Sequence, residues 1–156
     1  MQEFPVKSGK RGVGTFFKQD ISNRDQKART PEQLYEDLET VYGKFDFDPC
    51  PTNPQFDGLK EEWGKNTYVN PPFDALKKWL KKALEEWKKG DKQIIFLMPI
   101  RIHTRYFLEQ INPYIQENKI GLYILNKGVK FQGYKHRAPF GMMYLVFPPL
   151  SNPVSE

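Results

Sequence analysis

The apolar positions of this chain follow two periods, and the elements begin and end where the period changes. Leu34, Tyr35, Leu38, Val41 and Tyr42 recur at helical spacing. Ahead of them, Thr30-Pro31-Glu32-Gln33 offers an N-cap hydroxyl, a proline at the first helical position and a capping-box glutamine, and Gly43 supplies the stop. Phe45-Asp46-Phe47-Asp48 alternates like a half-buried strand and runs into Pro49-Cys50-Pro51. Thr52 to Gly64 is built of loop formers, with Phe56, Leu59 and Trp63 as anchors that argue for a docked loop. Asn66-Thr67-Tyr68-Val69 then reads as a strand leading into Asn70-Pro71-Pro72-Phe73.

The second half keeps switching. Asp74 is placed to cap a helix whose apolar stripe is Leu76, Trp79, Leu80, Ala83, Leu84 and Trp87, with Lys77, Lys78, Lys81, Lys82, Lys88 and Lys89 as its solvated face. After a Gly90-Asp91 turn, Gln93-Ile94-Ile95-Phe96-Leu97-Met98 is an unbroken apolar run, the pattern of a strand covered on both faces. Pro99-Ile100-Arg101 ends it. A helix from near Thr104 is expected to bury Phe107, Leu108, Ile111 and Ile115, with Asn112-Pro113 kinking or splitting it. Ile120 to Leu125 reads as a strand, and Asn126-Lys127-Gly128 turns into Val129-Lys130-Phe131. A polar loop through His136-Arg137-Ala138-Pro139 precedes a last strand, Met142 to Phe147. Strands separated by helices make an α/β sheet, and closing strands joined without a helix suggest an antiparallel hairpin at one edge.

Composition narrows the class. A chain of 156 residues is most simply one domain with a real core. It divides into a basic N-terminal segment, 1–28, a domain at 29–148 and a tail at 149–156. In the first segment Phe16-Phe17 argue that its later part docks. A net charge of +5 favours an anionic partner, nucleic acid first. One cysteine, Cys50, rules out an internal disulfide framework and suits a reducing, cytoplasmic compartment. With two widely spaced histidines it offers no zinc pattern. No run of about 20 apolar residues and no signal peptide are present, so a soluble protein is expected.

The Asn70–Phe73 turn is where chemistry concentrates. Two consecutive prolines lack N–H groups and fix φ, so the backbone there must be a rigid extended turn. In an open α/β sheet, ligands bind beyond the carboxyl ends of the strands. An exocyclic amino group on a nucleobase is a poor nucleophile because its lone pair is delocalised into the ring. The Asn70 side-chain carbonyl and the Pro71 main-chain carbonyl suit the role of accepting its two N–H bonds, which draws the nitrogen toward tetrahedral geometry. Phe73 is placed to stack on the same base. The tetrapeptide holds no ionisable base, and this chemistry needs none.

Thr30-Pro31, Asp48-Pro49-Cys50, Asp57-Gly58-Leu59 and Asn70-Pro71-Pro72-Phe73, in that order, resemble an S-adenosylmethionine-dependent DNA N6-adenine methyltransferase. More narrowly, the chain is similar to the small phage-type (Dam-like) family. Leu97-Met98-Pro99-Ile100-Arg101 with Thr104-Arg105-Tyr106-Phe107, and Gly128-Val129-Lys130-Phe131 with Ala138-Pro139-Phe140-Gly141, extend the likeness to about residues 28–147. The resemblance implies an abbreviated Rossmann-like methyltransferase sheet with helices on both faces. It implies that Thr30 contacts the methionine end of the cofactor, that Asp48 opens the cofactor loop shaped by Pro49 and Cys50, and that Asp57 lies near the cofactor adenine. Asn70 and Pro71, stiffened by Pro72, orient the target amino group, and Phe73 stacks on the base. Capping and turn-forming roles are open to Thr30, Asp48 and Asp57 as well, and a core-filling one to Cys50.

Two departures shape the alternatives. Pro51, Asn53 and Pro54 stand where broader methyltransferases place a glycine-rich loop, and the stretch from Cys50 to Asp57 is short. A separate target-recognition domain is not expected, so DNA contacts are expected from the N-terminal segment, Arg101, Arg105, Lys135 and Arg137. RNA, single-stranded DNA or cytosine N4 remain as substrates, and a nucleic-acid-binding module without catalysis remains as a different class. No metal is implied.

Overall fold

The computed structural model describes residues 30–51, 54–126, 129–132, 136 and 140–150. The basic segment 1–28 with Phe16-Phe17, the loop residues Thr52 and Asn53, the turn residues Lys127 and Gly128, and Lys135, Arg137, Ala138 and Pro139 lie outside the described residues, as do tail residues 151–156.

The elements are α1 (Glu32–Tyr42), β1 (Asn66–Val69), α2 (Leu76–Trp87), β2 (Gln93–Pro99), α3 (Asn112–Gln116), β3 (Gly121–Ile124) and β4 (Met142–Phe147). The sheet order is β1-β2-β4-β3. β1 and β2 pair in parallel, Asn66 with Gln93 through Val69 with Phe96, and α2 supplies the crossover such a pair requires. β4 runs antiparallel to both β2 and β3, so the antiparallel pair expected at one edge is present, with β4 the inner member.

The continuous apolar run of β2 is covered on both faces, as expected. Ile94, Phe96 and Met98 pack with the whole α2 stripe and with Phe107 and Ile111. Ile95 and Leu97 pack on the opposite side with Leu38 of α1, Tyr68, Phe73, Val129 and Phe131. Helices therefore lie on both faces. The 54–64 loop is docked, since Trp63 is buried against Trp79 and Phe56 stacks on Phe47.

Several local expectations are corrected. Phe45–Asp48 is not a strand. It makes a single parallel bridge, Phe47 to Thr67, because the Asp46 carboxylate takes the Asn66 N–H at 3.2 Å and Pro49 has no N–H to extend the ladder. Val41, read into the α1 stripe, is 70% exposed. α1 takes no side-chain cap from Thr30, and Gln33 donates to Asp37 at 2.9 Å instead of closing a capping box. Asp74 does not cap α2 either, because it lies within a single 3-10 turn, Phe73–Ala75, and Ala75 takes the N-cap position.

The helix after β2 begins where Thr104 Oγ1 accepts the Phe107 N–H. It then widens into a π segment, Phe107–Ile111, before α3. Pro113 cannot donate the next helical bond, and Asn112 N–H reaches back five residues to the Phe107 carbonyl. The wider turn aligns Phe107 with Ile111 and swings Leu108 outward, where it is half exposed rather than buried.

The α2 lysines are not merely a solvated face. Glu86 is buried among them and accepts from Lys82 and Lys89, each at 2.9 Å, and from the Trp63 N–H at 3.1 Å. The buried Lys92 ammonium lies 3.5 Å from the same carboxylate. Asn66 and Gln93, read only as strand starts, also fasten α1. The Asn66 amide donates to the carbonyls of Tyr42, Gly43 and Lys44, and Gln93 donates to Tyr42, satisfying groups that a helix end leaves open.

Candidate active site

Asn70 follows the last residue of β1, and Phe47 runs parallel beside that strand, so Asp48 and Asn70 both emerge at the carboxyl end of the sheet. Pro72 sits at φ −60°, ψ 133°, the extended conformation expected for the double-proline turn. Pro71 is buried, and the Pro72 carbonyl accepts the Ala75 N–H at 3.1 Å. The Arg101 guanidinium, arriving from the end of β2, donates to the Phe73 carbonyl at 2.9 Å. Burial lowers the Arg101 pKa and Asp74 partly offsets that. Arg101 is thus a brace for the turn, a role its sequence position did not suggest.

The Asn70 side chain is 8% exposed, and its Nδ2 donates to Thr30 Oγ1 at 3.3 Å. The same hydroxyl is hydrogen-bonded to the Tyr68 hydroxyl. The Thr30 carbonyl accepts from Gln132 Nε2 at 2.7 Å. Thr30 is therefore joined to the turn across forty residues of sequence rather than to its own helix. Tyr68 and Gln132 are parts of the site that sequence reasoning missed. Tyr68 reads as an ordinary inward strand position, and Gln132 lies in a stretch with no periodic signal.

Asp48 is half-buried and accepts the Cys50 N–H at 2.9 Å. Burial raises its carboxyl to about 6, and the Cys50 bond only partly opposes this. Its charge acts on Tyr35 and Tyr68, whose hydroxyls burial already pushes up. Cys50 packs against the α2-side core.

The Asp57-Gly58-Leu59 turn closes directly on this loop. A Cβ at Gly58 would lie 1.8 Å from the Pro49 carbonyl oxygen, so no side chain fits there. The Gly58 carbonyl also accepts the Trp63 indole N–H at 2.8 Å. We expect Gly58→Ala to destabilise the fold by about 1–3 kcal/mol, since backbone must move; urea unfolding checks this, and an unchanged midpoint would show the loop is not so constrained. Asp57 itself accepts the Leu59 N–H at 3.0 Å and faces Lys60, serving its own exposed turn.

Phe73 is 2% exposed, with Phe131 and Phe140 edge-on at 5.7 and 5.6 Å between ring centroids. Arg105, exposed, pairs with Glu109 one helical turn on. The structure therefore joins Thr30 with Asn70, Phe73 with Arg101, and the Pro49 loop with Gly58, while Asp57 and Arg105 face their own local partners. Among the described residues, no group of His, Cys, Asp and Glu could hold a metal ion, and no helix is long and apolar enough to cross a membrane.

A family model described as DNA N-6-adenine-methyltransferase (Dam) matches residues 18–153, nearly the whole chain. The chain belongs to this family. The Dam-family match spans every residue of the site just described, from Thr30 to Phe140. A DNA N-6-adenine-methyltransferase of Escherichia phage T1 is 33% identical in a match that covers 51% of this chain and 38% of that relative's length. No solved structure matches.

Proposed function

We propose that this Dam-family chain transfers a methyl group from S-adenosylmethionine to the N6 amino group of adenine in DNA. The observation that carries the reading is the Asn70 amide, fixed by Thr30 at the end of β1 on a turn that two prolines and Arg101 hold rigid. The sheet, with parallel β1 and β2 and a reversed β4 inside the β3 edge, supports an abbreviated Rossmann-like methyltransferase fold.

The donor set fits the cofactor. Asp48 carries a carboxylate whose ionised form burial disfavours, and a cationic ligand group would offset that penalty. The residues that would hold the cofactor are Asp48, Pro49 and Cys50, with Asp57 beyond them and Thr30 between the two halves. When bound, it supplies an electrophilic methyl on a sulfonium. Asn70 Oδ1 and the Pro71 carbonyl accept the two amino N–H bonds of a base flipped out of the duplex, and their rigidity spares reorganisation as the nitrogen becomes tetrahedral. Phe73 stacks on that base once the Phe131 and Phe140 cover moves aside. Arg101, Arg105, Lys135 and Arg137 remain the proposed DNA contacts, with Arg101 acting chiefly through Phe73.

Incubation with labelled cofactor, plasmid DNA and RNA, followed by digestion to nucleosides, tests the reading. Label in N6-methyladenine of the DNA is expected. Label confined to RNA or to cytosine would move the substrate, and none at all would leave a binding module.

Asp48 gives a second test. Its carboxyl titrates near 6 in the folded chain against about 4 unfolded. The folded state thus binds the extra proton between those values, and stability falls as pH rises through that window. Asp48→Asn removes this penalty, so at pH 7.5 the variant is expected to be about 2 kcal/mol more stable than wild type, with little difference at pH 4. Its affinity for S-adenosylmethionine should fall. Calorimetry and urea unfolding at both pH values check the pair, and a variant no more stable at pH 7.5 would contradict the assignment.

A further inference from the structure

Resting on the methyltransferase reading, we propose that Thr30 and Tyr68 are positioning residues that fix which end of the Asn70 amide meets the substrate, so that the site selects bases carrying an amino group. Thr30 Oγ1 accepts from Asn70 Nδ2. Giving the Thr30 proton to the Tyr68 oxygen leaves only lone pairs toward the amide, so its nitrogen turns to Thr30 and its oxygen faces away. An oxygen accepts an N–H from adenine N6 or cytosine N4. It repels the carbonyl oxygens that guanine and thymine carry at the corresponding ring positions. If the amide turned over, its NH2 would instead favour such a carbonyl, and no lone pair would be drawn out on an amino nitrogen.

What keeps the amide this way is where the Thr30 hydroxyl is held. Thr30 lies just ahead of α1 but gives that helix no side-chain cap, even though a threonine there is well suited to one. Its hydroxyl is bonded to Tyr68, whose ring is 2% exposed between the rings of Tyr35 and Phe45. Its carbonyl is held by Gln132, from a stretch anchored by buried Val129 and Phe131. Thr30 is therefore positioned at both its side chain and its backbone, from β1 on one side and from the 129–132 segment on the other. Tyr68 and Asn70 are two apart on one chain, so they project the same way and both reach the hydroxyl. Helix α1 forgoes a cap, and the amide gains a fixed direction.

The test compares Thr30→Val, Thr30→Ser and Tyr68→Phe with wild type for methylation kinetics. It adds nuclear magnetic resonance of the Asn70 side-chain NH2 in asparagine-labelled protein. Thr30→Val and Tyr68→Phe are expected to lower kcat roughly 10- to 100-fold, the scale of a displaced reacting group. In Tyr68→Phe, which leaves the proposed cofactor residues untouched, KM for S-adenosylmethionine should stay within about twofold of wild type. Thr30→Ser, which keeps the hydroxyl, should restore most of kcat. The Asn70 NH2 protons should exchange slowly with solvent in wild type and Thr30→Ser, and faster in the other two. Wild-type kcat in Thr30→Val and Tyr68→Phe, or a loss confined to the cofactor KM, would overturn the proposal and return Thr30 to cofactor binding. Absence of methylation by wild type would instead sink the methyltransferase reading. The amide resonances then decide alone: exchange unaffected by Tyr68→Phe overturns the positioning role, and accelerated exchange supports it.

Discussion

Asn70→Ala is expected to lose methyl transfer by about a thousandfold while remaining folded. In the proposed mechanism the side chain supplies one of two acceptors that make an aromatic amine nucleophilic, and removing a single preorganised dipole from such a site costs a factor of that order. The structural cost is small by comparison. The substitution removes the hydrogen bond to Thr30 at a buried position, worth about 1 kcal/mol, and the prolines and Arg101 still hold the turn. Labelled methyl transfer to plasmid DNA and circular dichroism check the two halves. A folded variant with activity near that of wild type would overturn the role given to Asn70.

Glu86→Gln is expected to destabilise the protein by about 3 kcal/mol or more, the usual penalty for stripping one partner from a buried charge cluster. Three cations converge on this carboxylate, and the Lys92 side chain is only 3% exposed. Burial alone would raise the Glu86 pKa, but the bonds from Lys82, Lys89 and the Trp63 N–H outweigh it and bring the group down to about 2. A carboxyl lowered in the folded state contributes fully above its unfolded value and loses that contribution as pH falls from about 4.5 toward 2. Wild type should therefore weaken across that window, and the Gln variant should weaken less. Urea unfolding at pH 7 and pH 3 measures both. Equal midpoints for the two proteins at pH 7 would mean the cluster adds nothing.

What could be read in the sequence follows from the range of the interactions involved. β1 and β4 were legible to the residue, because period and β-branched or aromatic content are local properties. The same holds for β2 apart from Pro99, which extends it by one position. Thr30 was misread as an N-cap because local pattern favours one, whereas the winning partners, Tyr68 and Asn70, are distant in the chain. Lys82 and Lys89 looked solvated because nothing in a helical wheel reveals that Glu86 turns inward to meet Lys92 and Trp63. Asn70 to Phe73, the substrate half of the proposed site, stands where the prolines put it. Asp57 faces its own turn, and Gly58 ties that segment to Pro49 through a close approach with no sequence period to mark it.

The inner position of β4 has a consequence for how the chain is made. β2 is apolar along its length and finds its second neighbour only in residues 142–147, so during synthesis it must wait, paired with β1 alone, while more than forty residues follow it out of the ribosome. Its bare edge is during that interval a template for pairing with other chains. β3 cannot shield it, because β3 reaches the sheet only through β4. A nascent chain cut short before Met142 is therefore left with this apolar edge of β2 uncovered.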